Sequence, residues 1–330
     1  MRNFKLFPVL LIASVSVCAA DFSFGLWGDM PYGKNNDAQQ TRAVIDSINA
    51  SDVALTIFDG DFKDGSSVCS DAVYKDALVT FNNMRQPLIY SVGDNEWTDC
   101  HRTNNGGYNA SERLSLIRRT FFASSQSLGQ QKTKLVQQGK TGDKFSENTR
   151  LTHEGVVFMG LNVPGSNNNW VMSAKECTYK SARTLADCEA TNEEYIERDG
   201  KNIEWLKMGF AAAKSQSALG VVVVIQGNPG FDLPETHEDE SQLAQYAGYR
   251  NFMSALTTET EQFAGQVLLV HGDDHFYKVD KPLYAPNRLL HNLTRVQTFG
   301  SPSNHWVRVD VNASQPEVFT IRPVIVKPVK

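Results

Sequence analysis

The sequence predicts an α/β protein built on parallel strands, and three observations predict it. Short apolar runs alternate with segments of helical period from residue 21 to about residue 271. One run, "GVVVVIQ" at 220–226, shows no polar alternation, as expected of a strand covered on both faces. Four runs end on the same dipeptide where the chain leaves a strand: Gly28-Asp29, Gly60-Asp61, Gly93-Asp94 and Gly272-Asp273.

In order along the chain, residues 1–19 come first. Arg2 and Lys5 precede an apolar stretch from Leu6 to Val17, and the segment closes on the small-residue end "VCA". This pattern predicts a secretory signal cleaved near Ala19, hence a secreted or periplasmic protein. The apolar stretch is short for a membrane span, so a cleaved signal is the leading expectation and an uncleaved anchor the alternative; no span is expected once the signal is removed. The chain then has strand "DFSFGLW", a helix over 36–50 with Ala38, Ile45 and Ile48 on one face, strand "VALTIF", a helix over 72–84 with Val73, Ala77 and Phe81, and strand "PLIYSV". A polar stretch at 98–110 leads to a short helix aligning Leu114, Ile117 and Phe121. A Gln/Lys/Ser-rich connection to about 150 reads as surface, followed by strand "GVVFMGL". Thr191 and Glu194 in "TNEEY" form a capping-box pattern that predicts a helix start there, with Ile203, Leu206 and Phe210 inward. After "GVVVVIQ", a helix near 240–257 and "GQVLLVHGDDH", the helices stop. "HFYKVD", "LTRVQTF", "HWVRVDV" and "VFTIRPVIV" read as a β meander covering a second sheet. No linker or repeat divides residues 20–330, so a monomeric single domain is expected, with insertions near 98–150 and 163–200.

Bulk properties narrow the function classes. The chain has 330 residues, 41% hydrophobic, enough for one substantial core. Loss of Arg2 and Lys5 with the signal takes the formal net charge from −5 to −7, with both signs interspersed, which disfavours a nucleic-acid duplex as partner. Export leaves Cys69, Cys100, Cys177 and Cys188, with three possible pairings; Cys69–Cys100 and Cys177–Cys188 are expected. No Cys-x-x-Cys pair occurs, which argues against a thiolate zinc site.

In parallel α/β sheets, ligands bind at the carboxyl ends of the strands. A single Gly-Asp there is a turn and a helix cap. Four of them gather carboxylates that repel one another, a cost that a cation offsets.

The order Gly-Asp, "GDFKDG", "GDNE", a Val-rich strand leading to Asn-Pro, and "GDDH" resembles the calcineurin-like metallophosphoesterases, across about residues 23–280. Their blocks run Asp-x-His, Gly-Asp-x-x-(Asp or Tyr), Gly-Asn-His-(Glu or Asp), His-x-Pro and Gly-His-x-His. The resemblance implies a four-layer α/β/β/α sandwich of two mixed sheets flanked by helices, the C-terminal strands completing the second sheet. It also implies two divalent metal ions and hydrolysis of phosphomonoesters or phosphodiesters, with a small phosphorylated substrate as partner. Asp29 corresponds to a ligand of the first metal, Asp61 to the bridging carboxylate, Asp94 to a second-metal ligand and His275 to the last His of the final block. Pro31, Asn95 and Asp273 stand at family His positions, Asn95 where the general acid belongs, and Gln226 or Asn228 stands where a metal-binding His is expected. This oxygen-rich set favours Mn²⁺, Mg²⁺ or Ca²⁺ over Zn²⁺, with iron left open.

A general acid is worth roughly 10²–10⁴-fold in rate, and His101 and His271 are the nearest spare imidazoles to replace one. Either also reads as a satisfied structural histidine. Tyr32 offers a phenol to substrate or packs in its turn; Lys63 positions phosphate or is a loop charge; Asp64 is a candidate for orienting water. The loop "LNVPGSNNNW" at 161–170 is rich enough in donors to contact a phosphoester or a sugar. Asn49, Asn109, Asn292 and Asn312 begin Asn-x-Ser/Thr triplets. The leading expectation is a metal-dependent phosphoesterase-like hydrolase. The alternatives are a binding protein of the same fold with a structural ion, and a carbohydrate-binding surface protein.

Overall fold

The computed structural model describes residues 20–33, 36–233, 238–285 and 288–328. The predicted secretory signal lies outside them. The first half alternates as its periodicity requires: β1 (Phe22–Trp27), α1 (Asp37–Ala50), β2 (Leu55–Phe58), α2 (Asp71–Asn82), β3 (Leu88–Tyr90) and α3 (Ala110–Phe121). Then come β4 (Val136–Gln137), β5 (Thr149–His153), β6 (Val156–Gly160), the short α4 (Ala174–Thr178), the long α5 (Leu185–Ser215) and β7 (Gly220–Val224). A small pair, β8 (Asp232–Leu233) with β9 (Glu238–Asp239), precedes α6 (Arg250–Glu261) and β10 (Gln266–His271). The chain closes with β11 (Lys278–Asp280), β12 (Leu293–Gln297), β13 (Trp306–Val311) and β14 (Phe319–Val324).

Two mixed sheets pack face to face. One has the order β14-β13-β1-β2-β3, the other β11-β12-β10-β7-β6-β5-β4. β1, β2 and β3 run parallel, as do β6, β7, β10 and β12, while the antiparallel strands lie toward the edges. Phe24, Leu26 and Ile57 from the first sheet meet Phe158, Val222 and Val270 from the second in the central core. α1, α2 and α3 cover the outer face of the first sheet, and α5 and α6 that of the second. The four-layer α/β/β/α arrangement is therefore the fold.

Three local expectations change. The C-terminal strands do not form one meander on one sheet. β11 and β12 join the second sheet, whereas β13 pairs antiparallel with β1, from Phe22 opposite Val311 to Leu26 opposite Val307, and closes the first. The long helix begins at Leu185, not at Thr191, because the same capping pattern occurs earlier. The Thr184 hydroxyl accepts from Asp187 N (3.2 Å), and the Asp187 carboxylate accepts from Thr184 N (2.7 Å). Thr191 lies inside the helix, its hydroxyl donating to Asp187 O. Finally, the connection to residue 150 buries Leu128 and Leu135.

Both expected disulfides, Cys69–Cys100 and Cys177–Cys188, are present. Among the described residues no helix is long and apolar enough to cross a membrane. Asn109 caps α3 by accepting from Glu112 N, and the Asn292 side-chain amide donates to Thr260 O, Phe263 O and Gly265 O.

Candidate metal centre and adjoining cavity

The Gly-Asp turns interlock. A side chain at Gly93 would begin 2.1 Å from Asp61 Oδ1, and one at Gly272 would begin 2.0 Å from Asp29 Oδ2. Each glycine is thus demanded by the carboxylate of another turn packed against it, and not only by the bend of its own. Asp29, Asp61, Asp273 and His275 all adopt left-handed backbone, with φ of 51°, 62°, 78° and 65°. Non-glycine residues take this conformation infrequently, and such residues concentrate at functional sites.

Three of the groups converge on the Tyr32 hydroxyl. It stands 3.4 Å from Asp29 Oδ1, 3.2 Å from Asp61 Oδ2 and 3.1 Å from His275 Nε2. Asn95 Nδ2 donates to it as well (3.2 Å) and to Asp61 Oδ2 (2.5 Å). His275 donates from Nδ1 to Ser301 O (2.7 Å), which fixes the ring and turns Nε2 toward Asp29, 3.5 Å away. Burial opposes charge on this imidazole, but the Asp29 carboxylate outweighs it and pushes the ring up to about 9.

The carboxylates themselves are held at a cost. Burial raises Asp29, and burial with the Asp94 charge pushes Asp61 and half-buried Asp273 well above the usual carboxylate range. Two further buried acids, Asp59 and Glu96, belong to the cluster although sequence reasoning did not single them out. Glu96 Oε1 accepts from Asp61 N (3.2 Å), Gly93 N (2.8 Å) and the Tyr90 hydroxyl (2.7 Å). Asp59 accepts from the Thr298 hydroxyl (2.7 Å). Asp59 Oδ1 and Glu96 Oε2 are buried without a partner among the described residues. Asp59 directly precedes Gly60-Asp61, and Glu96 follows Gly93-Asp94 after one intervening residue, Asn95, so both stand close in sequence to the dipeptides.

Gln226 reaches the cluster through its side-chain amide nitrogen, and Asn228 through its backbone N–H, which donates to Asp273 Oδ2 (3.1 Å). Gln226 Nε2 faces Asp61 Oδ2 (3.2 Å) and Asp273 Oδ1 (3.4 Å), while its Oε1 accepts from Gly165 N (2.5 Å). Asn228 Nδ2 donates to Asp274 (2.6 Å), and its Oδ1 accepts from Gly230 N (3.1 Å). Lys63, buried, donates to Asp64 O and Asn95 O and so braces the 94–96 turn.

Asp94 faces a second region. The Ser166 hydroxyl lies 2.6 Å from Asp94 Oδ2 and 2.8 Å from Asp99 Oδ1. One hydroxyl carries one proton, so holding both contacts requires a proton on a carboxyl; Asp99 is pushed up to about 8 by burial and the Asp94 charge. Ser166 through Asn169 have φ of 51°, 54°, 53° and 64°, a single left-handed turn. That handedness costs roughly 1–2 kcal/mol per residue, less for Asn. Buried Arg198 pins it, donating to Asn168 O (2.9 Å), Asn168 Oδ1 (2.6 Å) and Asn162 O (2.9 Å), and pairing with Glu194 (2.7 Å). The amides of 161–170 therefore serve mainly the fold, and Ser166 alone of the Asn-Ser stretch is exposed.

The two spare imidazoles lie elsewhere. His101 Nδ1 meets the Ser181 hydroxyl (2.8 Å), and burial plus Arg183 and Arg102 push the ring down to about 3. It lines a cavity of about 570 Å³ beside Asp99 and Ser166. His271, fully buried, donates from Nδ1 to Gly272 O (3.0 Å); burial, then Arg295, pushes it down to about 3. Its Nε2 has no partner among the described residues.

Whether these residues suit a cation turns on donor chemistry. With Nδ1 donating to Ser301 O, His275 can offer a ring lone pair only from Nε2, once the proton that Asp29 favours there is displaced, and Asp29 and Asp61 beside it are desolvated oxygen donors of the type hard divalent ions take. Among the described residues no three His, Cys, Asp or Glu side chains are grouped so that they could hold a metal ion, and the Tyr32 hydroxyl stands between Asp29, Asp61 and His275.

No family model matches the chain, and no curated protein matches it in sequence. Solved structures with some likeness include GAP50, the anchor in the inner membrane complex of Plasmodium (16% identity over 94% of this chain and 90% of that one, TM-score 0.45). Thermus thermophilus sulfate thiohydrolase SoxB in complex with glycerol shares 14% identity over 87% of this chain and 42% of its own (TM-score 0.42). A 5'-nucleotidase from Candida albicans shares 11% over 91% of this chain and 50% of its own (TM-score 0.39). The chain spans half or less of the length of the last two.

Proposed function

We propose that the protein is a secreted or periplasmic metal-dependent hydrolase of phosphoric esters. The observation that carries this reading is the convergence of Asp29, Asp61 and His275 Nε2 on one point, from the ends of β1, β2 and β10. The motif order that resembles calcineurin-like metallophosphoesterases supports it. Asp29, Asp61 and His275 would hold one Mn²⁺, Mg²⁺ or Ca²⁺. Asp94 and Asp273, both within 2.8 Å of the point where a Gly165 side chain would start, are the carboxylates available to a second ion. A bound divalent ion supplies Lewis-acid polarisation of a phosphoryl oxygen and lowers the pKa of water. The chain's own residues then orient and restrain. Asn95 and Gln226 donate to Asp61 and fix its outer oxygen, Lys63 keeps the 94–96 turn in place, and Arg102, paired with Asp99 at 2.6 Å, sets a guanidinium beside the cluster. The two disulfides support an oxidising compartment.

A second reading has its own observation. Tyr32 occupies the point of convergence, and Asn95 and Gln226 donate amide protons where the resemblance expects imidazoles, which favours a binding protein that keeps the fold and a structural ion. Metal content by mass spectrometry, together with hydrolysis of aryl phosphate mono- and diesters under added Mn²⁺, Mg²⁺, Ca²⁺ or Zn²⁺, decides between them. Turnover above an Asp61→Asn control supports the hydrolase. Metal retained without turnover supports the binding protein, and no metal retained with no turnover overturns both.

A further inference from the structure

We propose that the cavity beside the acidic cluster binds a ring-bearing organic phosphate, with its ring against Trp170 and Tyr179 and its phosphoryl group on Arg102 and Arg183. Naming the anion as a phosphoryl group rests on the hydrolase reading above; the cavity's shape and lining do not. At about 570 Å³ it falls within the 300–1,000 Å³ typical of small-molecule sites and exceeds what a bare phosphate fills. Its apolar side is made by Trp170, Val171, Met172 and Tyr179. Trp170 is half-buried and braced by the tilted ring of Tyr195, ring centroids 4.8 Å apart and planes at 50°, while Tyr179 and Met172 remain 63% and 43% exposed. Large apolar side chains left open around one concavity suit a flat partner.

The cationic side has two guanidiniums on one cavity. Arg102 reaches Asp99 (2.6 Å) and lies 3.5 Å from Ser166 Oγ, whose other neighbour is Asp94, so it stands at the junction of cavity and cluster. Arg183 is anchored by Nε to Cys177 O (3.3 Å), at the disulfide that closes the 177–188 hairpin. Glu176 also lines the cavity, but its Oε2 accepts from Met172 N (3.0 Å). Asp99 pairs with Arg102, and Glu176 and Asp99 lie near Arg183, but both guanidiniums keep planar N–H donors suited to phosphoryl oxygens. The strained turn at 166–169 and the disulfide hairpin hold this lining in place without a ligand, as preorganised sites require.

The test compares phenylphosphonate with methylphosphonate, neither of which can be hydrolysed, by calorimetry on the mature chain with and without Mn²⁺. Phenylphosphonate is expected to bind about tenfold more tightly. Trp170→Leu and Tyr179→Ala should each shrink that ratio severalfold while leaving methylphosphonate unchanged; Tyr179 is exposed enough that its variant will fold. Arg183→Ala should weaken both ligands. Equal binding of the two probes, or a ratio untouched by both ring variants, overturns the proposal. Ring-selective binding in a protein that no metal activates upholds the cavity and sinks only the hydrolase reading; activity without ring selectivity does the reverse.

Discussion

The acidic cluster and the cavity share the Ser166 hydroxyl but are built from different material. The cluster comes from strand ends of both sheets: Asp29 after β1, Asp61 after β2, Asp94 after β3 and Asp273 after β10, mostly buried and cross-braced by amides. The cavity comes from the loops and the short α4 at 98–102, 166–183 and 244–245, where exposed Met172, Tyr179 and Gln245 stand beside buried Asp99 and Val171 and the backbone is held by a disulfide and a left-handed turn. The difference teaches that charge chemistry here is tied to the scaffold, whereas ligand shape is set by segments that can vary without disturbing either sheet.

If that division is right, the two regions should fail separately. The largest effect is expected from Asp61→Asn, which should lower metal-dependent hydrolysis by roughly a thousandfold and remove thermal stabilisation by added Mn²⁺. Ring selectivity for phenylphosphonate should survive it; joint loss would break the comparison. Arg198→Ala should do the opposite, costing about 3–5 kcal/mol in urea unfolding because a buried, paired cation is removed, and abolishing ring selectivity while the Mn²⁺ response persists. Replacing both cysteines of either disulfide by alanine should cost about 3 kcal/mol, slightly more for Cys69–Cys100 with its separation of 31 residues than for Cys177–Cys188 with 11. Only the second replacement should weaken ligand binding in the cavity.

The smallest effect concerns His271. Its folded value near 3 lies below the ordinary 6.5, so below pH 6.5 the unfolded chain takes up a proton that the native chain refuses. That contribution to stability is complete above pH 6.5 and declines as pH falls toward 3, by about 2 kcal/mol at pH 5. His271→Leu should therefore flatten the loss of unfolding free energy between pH 7 and pH 5. An unchanged slope would mean that His271 does not stay neutral in the folded protein.

The layered fold was legible because its signals are local: the change of period between strands and helices, the all-apolar β7, and glycine punctuation at strand ends. The destination of β13 was not, since pairing with β1 joins residues nearly the whole chain apart and leaves no mark in either segment. Two similar capping patterns lie within one helix, and pattern alone favoured the later one; the earlier Thr184–Asp187 pair has the capping hydrogen bonds. In the candidate site, Asp29, Asp61, Asp94 and Asp273 were visible as repeated dipeptides. Tyr32 was noticed only as a phenol near a turn, because the direction of a turn side chain is decided by what packs over it. The cavity had least signal of all, being assembled from three separate stretches, at 98–102, 166–183 and 244–245.

The glycines that precede the aspartates carry a consequence for how this protein can change. Because Gly93 makes room for the carboxylate of Asp61, and Gly272 for that of Asp29, each strand end is keyed into a neighbour's. A methyl group at one turn therefore dislodges an acid belonging to another, and no turn can drift alone. Variation at this end of the sheets must come as concerted replacements, while the loops a few ångströms away remain free to change singly.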